Sequence, residues 1–187
     1  LDPLSELVKI NAANIGVGLY QHDIKSRHLQ ASLDAVVESC VNYVGVDLNT
    51  ASPALLRYVS GLNQLTALRI YDHRRQHGPF NNRLEIKEVA GIGDAVFVQA
   101  VGFLKIAGGD NPLDATWIHP ESYHVAERIL ERLQGNMVDL TATAGKNAAT
   151  IEMLGQRADD LDVAQLASEL DVGVLSLVDI LSSLRRP

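Results

Sequence analysis

The sequence has one cysteine, few aromatic residues and no long apolar run, and each shortage excludes a class of protein. Cys40 stands alone, so an internal disulfide is impossible and a reducing, cytoplasmic location is expected. Aromatic side chains make up 5% of the residues, too few for the stacking platforms that hold single-stranded nucleic acid. No run approaches the roughly 18 apolar residues of a membrane span, and no signal peptide is visible, so no membrane partner is expected. Because the chain starts at Leu1 without Met, we expect a piece of a longer protein.

Charge is distributed unevenly along the chain. The net charge of −7 argues against tight, indiscriminate binding to polyanions. Residues 57–106 are the exception, with seven basic and four acidic side chains and a net charge of +3, whereas residues 107–187 carry −7. The basic segment is therefore the part of the chain where a polyanionic partner is expected.

Apolar residues recur at spacings of three and four, which predicts an all-α fold. Between Leu29 and Val44 they form one helix face that includes Cys40, so this cysteine is expected to be buried. A later helix, from about residue 64 to 76, is expected to turn Leu65, Leu68 and Tyr71 inward. The spacing thus predicts amphipathic helices packed through these faces.

Two helix–corner–helix units repeat at an offset of 30 residues. The pairs Leu56 and Ile86, Val59 and Val89, Gly61 and Gly91, and Leu62 and Ile92 all share this offset. Pro53 suits the first turn of the first unit, which Asn49 or Ser52 can cap. We call Gly61-Leu62-Asn63 the first corner and Gly91-Ile92-Gly93 the second corner.

A glycine corner that opens a helix can bind an anion. Without Cβ atoms the backbone can turn sharply and another molecule can come close. The first amides of the next helix have no internal partner, and the helix dipole adds partial positive charge there. The predicted nucleic-acid contacts are therefore the corner residues Gly61, Asn63, Gly91, Ile92 and Gly93, with the nearby cations Arg69, Arg74, Arg75, Arg83 and Lys87.

A purely structural reading of the corners stays open. Gly-x-Gly between helices can simply permit a close helical hairpin. The first corner is also less complete, because Asn63 stands where the second corner has Gly93. Asn tolerates left-handed backbone, but its side chain can obstruct a phosphate.

No pattern in the sequence indicates catalysis. There is no Ser/His/Asp or Cys/His arrangement and no acidic cluster of the two-metal type, so we expect no enzyme activity and no cofactor. His73 and His77 are four residues apart on one helix, but no third metal ligand is evident. Residues 163–181 mimic a DNA-reading helix-turn-helix, yet the second helix lacks Arg, Lys, Asn and Gln for base edges. A packed pair of helices is expected there instead.

Several segments of the sequence resemble segments of the Tex family of transcription accessory proteins. They are "DPLSELVKI", "IGVGLYQHD", "LDAVVESCVNYVGVDLNTAS", "RRQHGPFNNR", "VAGIGDAVFVQAVGFLKI", "GDNPLD" and "IHPESY", in the order of the family. The resemblance covers about residues 2–130 and is faint from residue 133 onward.

The resemblance implies a domain order. In that family a nuclease-like domain precedes a tandem helix-hairpin-helix region, and an OB-type RNA-binding domain follows. Residues 1–48 would be the helical segment that leaves the nuclease-like domain, residues 49–106 the tandem helix-hairpin-helix domain, and residues 107–187 a helical connector.

Together these observations predict a non-enzymatic protein that binds DNA or RNA weakly through its phosphate backbone. Backbone-amide contacts carry no sequence information, so little sequence specificity is expected. The transcription machinery is a further expected partner. The alternative is a helical protein-interaction scaffold in a transcription-associated protein, with hairpins that are only structural.

Overall fold

The computed structural model describes residues 7–10, 14, 25–132 and 162–184, and this part of the chain is mostly helical. The helices are α1 Ser26–Val44, α2 Pro53–Leu56, α3 Gln64–His77, α4 Asp94–Val101, α5 Tyr123–Arg132, α6 Val163–Leu170 and α7 Val174–Leu184, with 3-10 turns at Arg83–Glu88, Pro112–Ala115 and Pro120–Ser122. Two strands of two residues, β1 Val46–Asp47 and β2 Leu104–Lys105, pair in the single small sheet of this part. The predicted all-α class is confirmed. None of the described helices is long and apolar enough to cross a membrane.

The chain divides into two compact units. The first comprises residues 1–80 and 84–104, and the second comprises residues 81–83 and 105–187. The limits predicted from the sequence, at residues 48 and 106, stay predictions.

The first unit is built from the repeat that the offset of 30 indicates. Ser52 caps α2 by accepting a hydrogen bond from the Leu55 amide, and Pro53 occupies the first turn as expected. Helices α3 and α4 begin at residues 64 and 94, again 30 apart. In the core, Leu56 and Ile86 are buried at equivalent positions, and so are Val59 and Val89.

The buried face of α3 differs from the predicted one. Leu65 and Leu68 are 56% and 44% exposed, and Tyr71 is also exposed. The helix instead buries Thr66, Ala67 and Ile70. The prediction of an inward Leu65, Leu68 and Tyr71 is therefore wrong, because smaller side chains at the adjacent positions are buried in their place.

The prediction of a buried Cys40 is also wrong. Cys40 is exposed, and along the predicted face of α1 the fully buried residue is Val41. Next to it, Asn42 accepts a hydrogen bond from the Ser60 amide at 3.0 Å. Helix α1 is thus anchored near its C-terminal end, and this anchor does not cover Cys40.

The second unit has its own apolar core. It is formed by buried side chains of α5, α6 and α7, among them Ile129, Leu130, Leu166, Leu177 and Ile180. The packed pair of helices predicted within residues 163–181 is confirmed as α6 and α7.

A buried ion pair holds the start of the second unit. Arg83 is 1% exposed, and its Nε lies 3.1 Å from Oδ1 of the buried Asp114. Its Nη2 donates to three backbone carbonyls, those of Leu113, Thr116 and Ile118. Arg83 was a predicted nucleic-acid contact, and this position corrects that prediction, since no face of the side chain is left for a phosphate.

Tyr123 completes the buried cluster. Its hydroxyl donates to Oδ1 of Asp114 at 2.5 Å, and the Arg83 guanidinium carbon lies 5.4 Å from its ring centroid. Burial raises the pKa of Tyr123 well above its ordinary value, so the hydroxyl stays a donor at neutral pH. Asp114 therefore accepts side-chain hydrogen bonds from both Arg83 and Tyr123. Its loss would leave the Arg83 charge buried without a counter-charge.

We expect Asp114→Asn to lower the free energy of unfolding of the second unit by about 3–5 kcal/mol, the usual cost of removing one partner of a buried ion pair. Urea unfolding followed by fluorescence measures this, because the single tryptophan, Trp117, lies in the second unit. The control is Asp110→Asn at an exposed position, expected to change stability by less than about 0.5 kcal/mol. Equal unfolding curves for the two variants would contradict the assigned role of the pair.

Candidate nucleic-acid interface

The two corners are packed reciprocally, each against the second helix of the other repeat. Gly61 has φ +84°, and a Cβ atom there would lie 2.8 Å from Cβ of Gln99 and 3.2 Å from the carbonyl oxygen of Val96. Gly91 has φ +93°, and a Cβ atom there would lie 2.5 Å from Nη1 of Arg69. Gln99 and Arg69 are themselves 30 residues apart. Gly61 is therefore explained by backbone conformation and close packing, and Gly91 by its positive φ, since the end of the Arg69 side chain can move away.

Gly93 differs from the other corner glycines. Its φ is −86°, which any residue can adopt, and a Cβ atom there would meet nothing within 4 Å. Gly93 is exposed, and it begins α4 without a side-chain cap. Neither strain nor packing requires glycine at this position, and the N-terminus of α4 is open.

Only some of the amides at the second corner donate to the chain itself. The Ile92 amide donates to the Val89 carbonyl, and the Phe97 amide donates to the Gly93 carbonyl. The amides of Gly93, Asp94 and Ala95 donate to no acceptor among the described residues. Ile92 itself was a predicted contact, but its side chain is buried and its amide is used, so it anchors the corner from within.

The first corner is closed by its own side chains. Oδ1 of Asn63 accepts hydrogen bonds from the amides of Leu65 and Thr66 at 2.9 and 3.0 Å. The Asn63 amide in turn donates to Oγ1 of Thr66 at 2.8 Å, which completes a capping box. The obstruction expected from Asn63 therefore takes the form of a cap, which occupies the donors that a phosphate would need.

Lys87 is an exposed cation at the second corner. Its Nζ lies 2.8 Å from Oδ1 of Asp94, and the two side chains are 44% and 88% exposed. Nζ also lies 4.4 Å from the centroid of the Phe97 ring, which orients the ammonium group by a cation–π contact. The hydrogen bond from Lys87 lowers the pKa of Asp94 below its ordinary value.

Two of the predicted arginines are committed to contacts within the first unit. Nη1 of Arg69 donates to the carbonyl of Ala90 at 2.9 Å, beneath the second corner. Arg74 donates from both terminal nitrogens to the carbonyls of Leu48 and Ala51, each at 2.7 Å. Burial lowers the pKa of Arg74 from its ordinary value. We therefore remove Arg74 from the predicted interface and assign Arg69 to the packing of the repeats.

Arg75 remains on the surface of α3. The side chain is exposed, and its guanidinium carbon lies 5.9 Å from the centroid of the Tyr71 ring. Together with Lys87, it supplies exposed positive charge to the first unit.

His73 and His77 form a ring stack instead of a gathered ligand set. Their ring centroids are 4.4 Å apart, and the His73 ring also stacks on Phe80 at 5.0 Å. In the described ranges, no group of three or more His, Cys, Asp or Glu residues could hold a metal ion.

One basic position, Arg57, was missed in the sequence. Arg57 precedes Lys87 by 30 residues, and its Nη2 donates to the Tyr58 hydroxyl at 2.6 Å. The offset of 30 could have found it, since a basic residue recurs at this position of the repeat.

A third corner lies at Asp171-Val172-Gly173, where the sequence predicts the junction of two short helices, and the structure confirms this junction between α6 and α7. Asp171 has φ +55°, the left-handed conformation that Gly61 and Gly91 also take. The Leu177 amide donates to the Gly173 carbonyl, as the Phe97 amide donates to the Gly93 carbonyl. In this corner Asp171 takes the place of the first glycine.

Comparison with known proteins agrees with this geometry. A family model described as a helix-hairpin-helix motif matches residues 41–105, and one described as an HHH domain matches residues 111–187. The chain is 56% identical to Protein tex of Bordetella pertussis, in an alignment that covers 73% of this chain. It is 44% identical to the transcriptional accessory protein Tex of Neisseria gonorrhoeae, in an alignment that covers 100% of this chain. It is also 37% identical to the human S1 RNA-binding domain-containing protein 1 over 74% of its length. The chain covers 17%, 23% and 19% of these three relatives.

We expect opposite effects on stability from changing the two kinds of corner glycine. Gly61→Ala places a Cβ atom in a left-handed position against α4, and the conformation alone costs about 1–2 kcal/mol. Gly93→Asn adds the cap that Asn63 provides in the first corner, and raises the free energy of unfolding by a few tenths of a kcal/mol. Urea unfolding followed by circular dichroism compares the two. A loss from Gly93→Asn as large as that from Gly61→Ala would show that Gly93 is also needed for packing.

Proposed function

The chain belongs to the Tex family of transcriptional accessory proteins, and we propose that this segment binds nucleic acid without catalysing a reaction. Contact is made with the sugar-phosphate backbone at the second corner, with little regard to base sequence. The single observation that carries this proposal is the open N-terminus of α4 at Gly93, which neither conformation nor packing explains.

The chemistry of the second corner suits one phosphate group. Three neighbouring amides, those of Gly93, Asp94 and Ala95, can donate to anionic oxygens, and the helix dipole adds partial positive charge at the same place. Gly93 lets a bulky backbone approach these donors because it has no Cβ atom. Such contacts fix the position of a nucleic acid but distinguish no base, so the binding is sequence-nonspecific.

The two other corners are assigned smaller parts. In the first corner Asn63 already occupies the amides of Leu65 and Thr66. The third corner lies in residues 107–187, which carry a net charge of −7, and Asp171 is part of the corner itself. The basic segment, residues 57–106, is therefore the part of the chain on which a polyanion is held.

The names of the relatives support a nucleic-acid role. Two carry the name Tex, and the human relative is named for an S1 RNA-binding domain. We extend to this chain the general class of ligand, with DNA and RNA both to be tested. The transcription machinery is proposed as the setting in which the contact is made.

We expect the 187-residue chain to bind a labelled DNA duplex or a labelled RNA strand weakly, with an affinity that falls as salt is added. The logarithmic slope is about −0.7 to −0.9 per phosphate contacted. Gly93→Asn should weaken binding about tenfold, since hydrogen bonds to a charged group are lost. Fluorescence anisotropy at several salt concentrations measures both quantities.

The matched control is Asn63→Gly in the first corner. This change frees the Leu65 and Thr66 amides at a cost of only a few tenths of a kcal/mol, so binding should stay equal or become tighter. Ser39→Asn, an exposed change on α1, controls for the introduction of the amide side chain. If Gly93→Asn folds and binds like the parent chain, phosphate contact at the second corner is refuted.

Arg75→Gln tests the contribution of exposed charge. Because Arg75 is exposed on α3, we expect weaker binding and a salt slope that is smaller by up to about one unit, without a change in stability. Thermal unfolding provides the control for folding. A variant with unchanged affinity and slope would place Arg75 outside the interface.

The scaffold hypothesis is favoured by one observation. Leu65 and Leu68 are exposed side by side on α3, where an apolar partner could cover them. A protein partner held there would bind with little dependence on salt and would survive nuclease treatment. Leu68→Ser, which leaves both corners intact, would weaken such a partner and leave nucleic-acid binding unchanged.

A further inference from the structure

An acidic side chain stands directly at the open second corner. Asp94 is the first residue of α4, between the unpaired amides of Gly93 and Ala95. Its carboxylate reaches back across the corner to Lys87, with 2.8 Å between Oδ1 and Nζ. The carboxylate therefore engages an exposed cation at this corner.

The stability of the fold does not explain the ion pair between Lys87 and Asp94. Both side chains are largely exposed, and exposed pairs of this kind contribute little to stability. Lys87 is already positioned by the Phe97 ring, at 4.4 Å from Nζ to the centroid. A carboxylate at a helix N-terminus is favourable for the helix, but it also repels any phosphate that approaches the same amides.

We propose that Asp94 acts as a built-in competitor for the phosphate at the second corner, and that Lys87 is the cation for which both compete. This inference rests on the proposed function. An arriving phosphate displaces the carboxylate from Lys87 and then receives both the ammonium group and the corner amides. Asp94 thereby sets the affinity of the corner at a low value.

The first corner supports this reading by contrast. In the first repeat, 30 residues earlier, Arg57 occupies the position equivalent to Lys87, and Gln64 occupies the position equivalent to Asp94. Arg57 donates to the neutral hydroxyl of Tyr58 at 2.6 Å. The open second corner thus has an acidic residue at the start of its helix. The first corner, where Asn63 accepts hydrogen bonds from the amides, has none at the equivalent position.

The test compares two variants that change the net charge equally. Asp94→Asn removes the competing carboxylate, whereas Glu88→Gln removes an exposed carboxylate one residue away from Lys87. We expect Asp94→Asn to bind a labelled DNA duplex about fivefold more tightly, with a salt slope steeper by about 0.9, since one more cation meets the phosphates. Glu88→Gln should change the affinity by less than about twofold.

A double-mutant cycle isolates the pair. In a Lys87→Gln background, Asp94→Asn should gain less affinity than in the parent chain, because no ammonium group is released. Circular dichroism confirms folding of each variant, and Asp94→Ser, which replaces the carboxylate by a neutral hydroxyl, serves if the amide variant folds poorly.

The outcomes separate this inference from the proposed function. If Gly93→Asn weakens binding but Asp94→Asn behaves like Glu88→Gln, the competitor role is overturned and the phosphate site stands. If Gly93→Asn has no effect either, both are overturned. Equal gains from Asp94→Asn with and without Lys87 would show simple repulsion and refute competition for the cation.

Discussion

Each corner glycine rests on the second helix of the other repeat, and the first unit depends on this reciprocal contact. Gly61 faces α4 so closely that a Cβ atom has no room, and Gly91 faces the end of the Arg69 side chain of α3. The residues that precede both helices, Asn63 and Gly93, are exposed. Helix α3 buries Ala67 and the larger Ile70, and at the equivalent positions α4 buries Phe97 and the smaller Ala100. Each helix thus buries one larger and one smaller side chain at these positions.

Local signals in the sequence predicted the repeat well, and tertiary contacts account for the rest. The offset of 30, Pro53 with its Ser52 cap and the left-handed Gly61 and Gly91 are encoded within a few residues, so they could be found without a structure. The buried face of α3 could not, because Leu65 and Thr66 lie on adjacent faces and the second repeat selects between them. Likewise, nothing local distinguishes the buried Arg83 from the exposed Arg75, since the counter-charge of Arg83 is Asp114, 31 residues further along.

The two corners share a backbone conformation, and one side chain decides whether the corner is closed or open. Asn63 and Gly93 occupy equivalent positions, and the preceding residue is half-buried or buried in both cases. With Asn63 the amides bond to the chain itself, and with Gly93 they remain available. A repeat can therefore keep its fold while one copy lacks the proposed anion site. The third corner shows a further variation, in which Asp171 adopts the left-handed conformation at the cost of placing negative charge beside the helix.

A weak phosphate contact has a physical use within a longer chain. The segment covers 17–23% of the Tex relatives, so other parts of such a protein can hold the same nucleic acid. A second, tethered contact multiplies the affinity of the first by its effective concentration divided by its own dissociation constant. In the proposed role, a corner restrained by Asp94 would add little affinity when it binds alone and more once the strand is already held nearby. Sequence-nonspecific binding at Gly93 would then extend the contact along a nucleic acid without fixing the protein at one place, as backbone contacts that exchange rapidly with salt ions allow.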